Sequence, residues 1–252
     1  MPHSIPIAVL DVVDSTNRVA LARAQAGETG PLWITAARQT AGRGRSGRAW
    51  SSEPGNLYAT LMTRLNCHPT AVPGLSLLAG VAVHDAIVAA AGRPVPGLRL
   101  KWPNDVLIGP AKCAGILAES LMGREAVTVA IGIGINLAWH PADLGREATH
   151  LAAHGVVAAP GEMLDALAQA MAHWFVQWNN GVGFADVRAA WLQRAGASGE
   201  ACTVNTGTER ISGSFAGLDE AGSLLVADSA GTIRTVTFGD VTLTPTSEGR
   251  GR

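Results

Sequence analysis

Charge is scarce in this chain of 252 residues. Asp, Glu, Lys and Arg make up 15% of it, against roughly 25% in ordinary soluble domains. The 19 basic and 20 acidic residues leave a net charge of -1. That excludes a surface that is wholly a nucleic-acid footprint and leaves room only for a local basic patch. Aromatic residues are few as well, at 5%. Cys67, Cys113 and Cys202 are far apart and form no CxxC pair. Neither a disulfide framework nor a thiolate zinc site is expected, and a reducing, cytoplasmic setting fits this usage. Long apolar runs are missing too. Asp11 and Asp14 follow closely on the apolar residues 5–10, with no basic stretch ahead of them, so no secretory leader is expected. The apolar run Leu75–Ala91 is broken by His84 and Asp85, and a membrane span needs about 20 mostly apolar residues. No membrane partner is expected. What is present is 47% hydrophobic residues, enough for one large core with a small appendage.

Residues 7–13 read as a strand. Ser15-Thr16-Asn17 then offers capping hydroxyls to a helix that Gly27 ends. Residues 32–37 read as a strand, 42–48 as a loop, and 56–64 as a strand covered on both faces. Apolar residues spaced by three and four from Leu75 to Ala90, between Pro73 and Gly92, mark a helix. Strands are expected at 98–102, 112–121 and 126–137, the last two joined at Gly123. Leu164, Leu167, Met171, Trp174, Phe175 and Trp178 mark a second amphipathic helix, and residues 185–194 a shorter one. Beyond Gly199 come short runs rich in Thr, Val and Ser, with turns at Gly207, Gly217, Gly222 and Gly231. The expectation is an α+β domain over residues 1–196, a mixed β-sheet with flanking helices, followed by a small β-barrel over 200–246. Residues 247–252 read as a disordered tail.

Three features carry chemistry. In Gln39-Thr40-Ala41-Gly42-Arg43-Gly44-Arg45-Ser46-Gly47-Arg48, glycines let backbone N–H groups approach a ligand, and arginines supply forked donors for phosphate or carboxylate. Spacing alone fits either an anion site or a flexible basic loop that touches RNA. Lys101-Trp102-Pro103-Asn104-Asp105 is followed by Lys112, which opens a strand. Pro103 is expected to end a strand and leave Asn104 and Asp105 on a loop facing an opening. Lys112 reads either as a rigidly based cation or as a solvated edge residue. Gly132 and Gly134, two apart, share one face of a strand, where they either open a slot for a flat ligand or allow close packing.

Taken together, Ser15-Thr16-Asn17, the Gly42–Arg48 run with Trp50, Gly55-Asn56-Leu57-Tyr58, the Lys101–Asp105 motif, Lys112 with Gly115-Ile116-Leu117, and Gly132-Ile133-Gly134-Ile135-Asn136 closely resemble the biotin protein ligase family. Residues 213–224 resemble that family's C-terminal SH3-like barrel. The resemblance implies the class II synthetase-like catalytic fold and a two-step acyl transfer. Biotin and MgATP give biotinyl-5′-AMP, which a lysine of a biotin carboxyl carrier protein domain of a carboxylase then attacks. It also implies site roles. Ser15, Thr16, Asn17 and Gln39 would bind biotin's ureido ring, with Gly42, Gly44, Gly115, Gly132 and Gly134 around it. Arg43, Arg45, Arg48 and Lys112 would hold the carboxylate and α-phosphate, Lys112, Arg43 and Arg45 acting in catalysis. Trp50, Asn104 and Asn136 would contact ATP, and Asp105 is a candidate Mg²⁺ ligand. Only 14 residues precede Ser15, too few for the DNA-binding domain of bifunctional relatives, so no direct DNA binding is expected. A monomer and a homodimer both fit. His150 stands where the family usually has Ser.

Other readings compete. A lipoate ligase or octanoyltransferase shares the broader fold, and the transferases use a cysteine. Cys113 adjoins Lys112, but alternation along a strand turns neighbours to opposite faces, so Cys113 reads as core. An RNA-binding module would want more aromatics beside the arginines than Trp50 and Tyr58. His150 and His154, four apart, could share a helical face as zinc ligands with Glu147.

Overall fold

The computed structural model of the chain describes residues 5–123, 126–142 and 147–243. The expected tail, 247–252, and residues 244–246 of the expected barrel lie outside them. Strand β1 (Ile7–Val13) runs parallel to β2 (Leu32–Gln39), with helix α1 (Thr16–Gln25) between them in sequence. Three further elements follow the expected pattern: β3 (Leu57–Leu65), helix α2 (Leu75–Ala91) and β4 (Leu98–Lys101). Then comes β5 (Asp105–Ile108), which begins at a residue the sequence places on a loop. It pairs antiparallel with both β4 and β6 (Ala111–Met122), and β6 turns back at Gly123 into β7 (Val127–Ile135). The sheet order is β1-β2-β3-β7-β6-β5-β4, antiparallel except for the first pair.

The two faces are unequal. On one, α1 covers a small core of Ala20, Ile34, Met62 and Ala130. On the other, α2, α3 (Pro160–Trp178) and α4 (Phe184–Arg194) build the main core. Helix α2 is apolar nearly all round because it is surrounded, with Leu75, Leu78, Val81 and Val83 fully buried. The helical run Pro69–Ala91 is long and apolar enough to cross a membrane by composition, but here the sheet and the neighbouring helices take up its apolar surface.

The C-terminal segment folds as expected into an antiparallel sheet, β8 (Ala201–Asn205), β9 (Arg210–Leu218), β10 (Leu224–Ala227), β11 (Ile233–Val236) and β12 (Asp240–Leu243). Its order is β11-β10-β9-β8-β12. It joins the main core directly. The Trp102 indole N–H donates to the Gly222 carbonyl at 3.0 Å, and the Phe215 and Trp191 rings meet edge to face at 6.3 Å. A Cβ on Gly222 would lie 2.8 Å from Leu77, so only glycine admits this approach.

One carboxylate ties the three core helices together. Asp85 on α2 accepts from Trp174 on α3 at 2.9 Å and from Arg194 on α4 at 2.9 Å. Burial alone would raise its carboxyl, but bonds from His84, Trp174 and Arg194 outweigh that and hold it below the usual range. Replacing Asp85 with alanine should lower the unfolding free energy by about 2–3 kcal/mol, because the Arg194 charge loses its partner. Urea titration at neutral pH checks this. The wild-type advantage should shrink as pH falls through the depressed carboxyl value, where the folded carboxylate takes up its proton.

Candidate active site

Strand register places Gly115, Leu117 and Glu119 of β6 beside Gly134, Gly132 and Ala130 of β7, with Tyr58, Thr60 and Met62 of β3 opposite them. This is the α1 face. Over it lies a cavity of about 770 Å³, walled by loop 42–50, the cap of α1 and β12. Ser15, Thr16, Asn17, Gln39, Arg43, Gly44, Arg45, Arg48, Trp50, Asn104, Asp105, Lys112, Gly115, Gly132 and Gly134 all line it. The structure thus brings together nearly every residue singled out from sequence. Gly42 and Asn136 are not in its wall. A Cβ on Gly42 would lie 2.5 Å from the Trp50 carbonyl, so its lack of a side chain lets the loop close on itself. Asn136 donates to the Thr149 carbonyl at 2.9 Å and lies behind Trp50, beside a small void shared with Pro141 and Ala148.

Lys112 reaches this face through an irregularity. Strict alternation from Gly115 would put Cys113 toward the cavity and Lys112 in the core. The pairing of β5 with β6 instead jumps from Val106↔Ala114 to Leu107↔Lys112. Cys113 is the extra residue of a bulge, and the bulge turns Lys112 to the cavity. Cys113 is fully buried in the main core and its Sγ lies 3.4 Å from the Val106 carbonyl. Burial pushes its thiol up to about 12, which leaves no thiolate for nucleophilic attack.

Of the two readings the glycine face allowed, the structure shows close packing rather than an open slot. A Cβ on Gly134 would lie 2.6 Å from the Trp50 ring, and one on Gly115 would lie 2.8 Å from Lys112 Nζ. At Gly132 the Asn17 carboxamide takes the space. The chain's own side chains fill the glycine positions. The Trp50 ring also lies under Lys112, with 5.2 Å from the ammonium to the ring centroid.

The α1 cap is a closed network. Ser15 sits at the N-cap without a side-chain capping bond. Gln39 Oε1 does that work, accepting from Thr16 N at 2.9 Å and Thr16 Oγ1 at 3.1 Å. Asn17 Nδ2 donates to the Leu117 carbonyl at 3.0 Å and to Glu119 Oε2 at 2.7 Å. Thr60 Oγ1 lies 2.8 Å from Thr16 Oγ1 and 2.7 Å from Asn17 Oδ1. The sequence reading missed Thr60 and Glu119. The period-two alternation through Gly132 and Gly115 would have placed both on this face.

Each cation has an acceptor within the protein. Lys112 pairs with Asp105 Oδ1, and Lys101 Nζ lies 2.9 Å from Asp105 Oδ2 and 3.1 Å from the Val241 carbonyl. Burial would raise the Asp105 carboxyl, but Lys112 and Lys101 together bring it down to about 2. Arg45 donates to the Gly239 carbonyl at 3.3 Å, Arg48 pairs with Asp240, and Arg43 with Glu119 at 3.6 Å. The loop over 42–48 forms a short hairpin, with Arg43 paired to Ala49 and Trp50 N donating to the Gly42 carbonyl at 2.9 Å.

Asp105 therefore lines the cavity from a strand rather than from a loop. It starts β5, with 9% of its surface exposed, and both its oxygens are taken by ammonium groups, which does not fit a Mg²⁺ ligand. Asn104 donates to the Ile116 carbonyl at 2.6 Å, a structural bond at the cavity wall. Among the described residues no three His, Cys, Asp or Glu side chains converge on a metal position. His150 pairs with His140, and His154 with Thr149, so the zinc alternative fails.

Residues 9–136 match the Biotin/lipoate A/B protein ligase family, and residues 197–243 match the Biotin protein ligase C terminal domain. The chain belongs to this ligase family. A Biotin--[acetyl-CoA-carboxylase] ligase of Paracoccus denitrificans is 42% identical over 226 residues, 86% of this chain and 92% of that protein. The Bifunctional ligase/repressor BirA of Bacillus subtilis is 33% identical over 241 residues, 92% of this chain and 72% of that one. The solved biotin protein ligase from Aquifex aeolicus in complex with biotin and ATP superposes with a TM-score of 0.78 at 27% identity, over 96% of this chain and 99% of its own. The Aquifex aeolicus structure shares the fold of this chain over nearly its whole length.

Two outcomes follow from the geometry of this ligase-family site. Asp105→Ala removes the carboxylate shared by Lys112 and Lys101 and should cost about 3–5 kcal/mol of stability at neutral pH. In the wild type that contribution should hold down to about pH 4 and be lost as pH falls toward the carboxyl value of about 2; acid titration of urea midpoints reads both. Gly134→Val should expel the Trp50 indole from its seat, seen as a red shift in tryptophan emission that Trp50→Phe abolishes.

Proposed function

We propose that this chain is a biotin–protein ligase, which activates biotin with ATP and passes the biotinyl group to a lysine of a biotin carboxyl carrier protein domain of a carboxylase. The observation that carries the reading is Lys112, held with 8% of its surface exposed in a cavity whose rim bears Arg43, Arg45 and Arg48. No nucleophilic side chain is needed for this chemistry. In the first step a carboxylate oxygen of biotin bonds to the α-phosphorus of ATP, and the bond to the β-phosphate's bridging oxygen breaks, releasing pyrophosphate. In the second, the carrier's neutral amine bonds to the acyl carbon, the bond to AMP breaks and the amine sheds a proton.

Both reacting partners of the first step are anions, so the protein's task is to hold them together and spread the growing charge. Lys112 is the fixed cation for this, and Arg43, Arg45 and Arg48 would exchange their protein acceptors for substrate oxygens. Ser15, Thr16, Asn17 and Gln39 offer biotin a rigid polar frame whose own bonds are already made, which favours orientation over adaptability. Trp50 offers adenine a stacking face, with Asn136 behind it. Magnesium would accompany ATP as a counter-ion of its phosphates, and Asp105, with both oxygens on ammonium groups, does not suit it as a ligand. Residues 1–196 carry the chemistry, and 200–246 wall the site through β12. The free thiols of Cys67, Cys113 and Cys202 suit a cytoplasmic reaction, and the buried Cys113 counts against thiol-based octanoyl transfer.

Lys112→Ala should cut biotin-dependent ATP–pyrophosphate exchange by at least ~10²-fold, the scale of losing one preorganised charge from a transition state. Exchange and carrier labelling, each run with biotin and with lipoate, make the check. Retained exchange in the variant, or a preference for lipoate, would overturn the assignment.

A further inference from the structure

We infer that Glu119 is a positioning residue that couples the biotin-side cap to the arginine loop, an inference that rests on the ligase reading above. Its two carboxylate oxygens face different elements. Oε2 accepts from Asn17 Nδ2 at 2.7 Å, and Oε1 lies 3.6 Å from Arg43 Nη2. Asn17 belongs to the first turn of α1 and is wedged over Gly132. Arg43 opens the hairpin, where its pairing with Ala49 ties it to the segment that leads into Trp50. The Trp50 ring in turn fills the space beside Gly134.

A continuous path therefore runs from the cap, through Glu119, to the indole at the nucleotide end of the cavity. Anything that shifts Asn17 moves the carboxylate and changes its hold on Arg43. The second anchorage of the loop, Arg45 and Arg48 on Gly239 and Asp240, touches only the C-terminal sheet. Glu119 is thus the charged link between the loop's first arginine and the cap, beside the neutral bond from Gln39 Nε2 to Ser52 Oγ at 2.9 Å. Both partners of the Arg43 pair are part-exposed, with side chains at 37% and 29%, so the expected effect is modest, about three- to fivefold.

The test is a double-mutant cycle of Glu119→Gln and Arg43→Gln with two readouts. Glutamine keeps an oxygen for Asn17 and removes the charge that holds Arg43. Without ligand, Glu119→Gln should speed tryptic cleavage after Arg45 and Arg48 about three- to fivefold. In ATP–pyrophosphate exchange it should raise the KM for biotin by a similar factor and leave kcat within about twofold, the signature of lost binding rather than lost chemistry. In the Arg43→Gln background, Glu119→Gln should add less than about twofold to either readout. Effects that simply multiply across the cycle, or unchanged cleavage, would overturn the coupling. Should Glu119→Gln fail to fold, Arg43→Gln on the exposed loop should alone reproduce the faster cleavage, and unchanged cleavage there overturns the inference. If the wild type shows no biotin-dependent exchange, the ligase reading fails, while the cleavage cycle still decides whether Glu119 holds the loop.

Discussion

A carboxylate shared by two ammonium groups beneath the surface sets the geometry of this cavity. Asp105 has one oxygen on Lys112 and the other on Lys101, and Lys101 reaches on to the Val241 carbonyl. Buried ion pairs of this kind recover little more than their desolvation cost. The triad is therefore poorly explained as a device for stability. What it supplies is a cation whose position is fixed before any substrate arrives, and fixed charge needs no reorganisation as a transition state forms. The same carboxylate ties β5 to β12 through Lys101, so the C-terminal sheet is joined to the site by the network that orients Lys112.

The glycines of the site extend this logic. Gly115, Gly132 and Gly134 would read as vacancies for a ligand, yet each is matched to a side chain of the protein. Gly115 gives the Lys112 side chain a path along its own strand, and with Gly134 it lets the Trp50 ring lie flat on the sheet. Gly132 lets Asn17 reach the carbonyl of Leu117. The missing side chains make the site's own groups rigid, and the substrate meets a surface built from them. Trp50 Nε1 is buried with no hydrogen-bond partner among the described residues, a cost that marks this packing as held by its surroundings rather than optimised for itself.

Much of this was legible in the sequence, because strong periodicity marks long elements. The helices α2 and α3 declare themselves through apolar spacing and their ends, β3 through alternation with both faces covered, and β6 and β7 through apolar stretches joined at a turn. The motif residues converge because they lie at element ends or on the strand positions that face one side of the sheet. Strand β5 was not legible. Four residues after a proline carry too little pattern, and without β5 the bulge at Cys113 is invisible. Cys113 does face the core, yet simple alternation counted from Gly115 would turn it to the cavity; the bulge decides it. Asp105 was misread for the same reason, since only pairing with Gly115 across the sheet shows that it is buried. Glu119 and Thr60 were passed over because a polar residue in a strand looks like a solvated one until its face is known.

The cations around the cavity divide into two kinds, and the division follows from their acceptors. Lys112 is bound to a buried carboxylate and could leave it only by stranding a charge, so it stays. Arg45 holds a neutral carbonyl at 3.3 Å, and Arg48 and Arg43 hold part-exposed carboxylates, contacts that water or a substrate oxygen can replace at little cost. Burial pulls the Arg45 guanidinium somewhat below its usual value, only partly offset by Asp240, yet a guanidinium stays charged throughout the physiological range. A site that must admit two anions, join them and then open to a macromolecular acceptor needs both kinds. A wholly fixed set of charges would trap its product, and a wholly mobile set would not align the reacting atoms. The loop supplies exchange and the bulged strand supplies constancy, and the Gly42–Trp50 hairpin, spanning from one to the other, is where the two requirements meet.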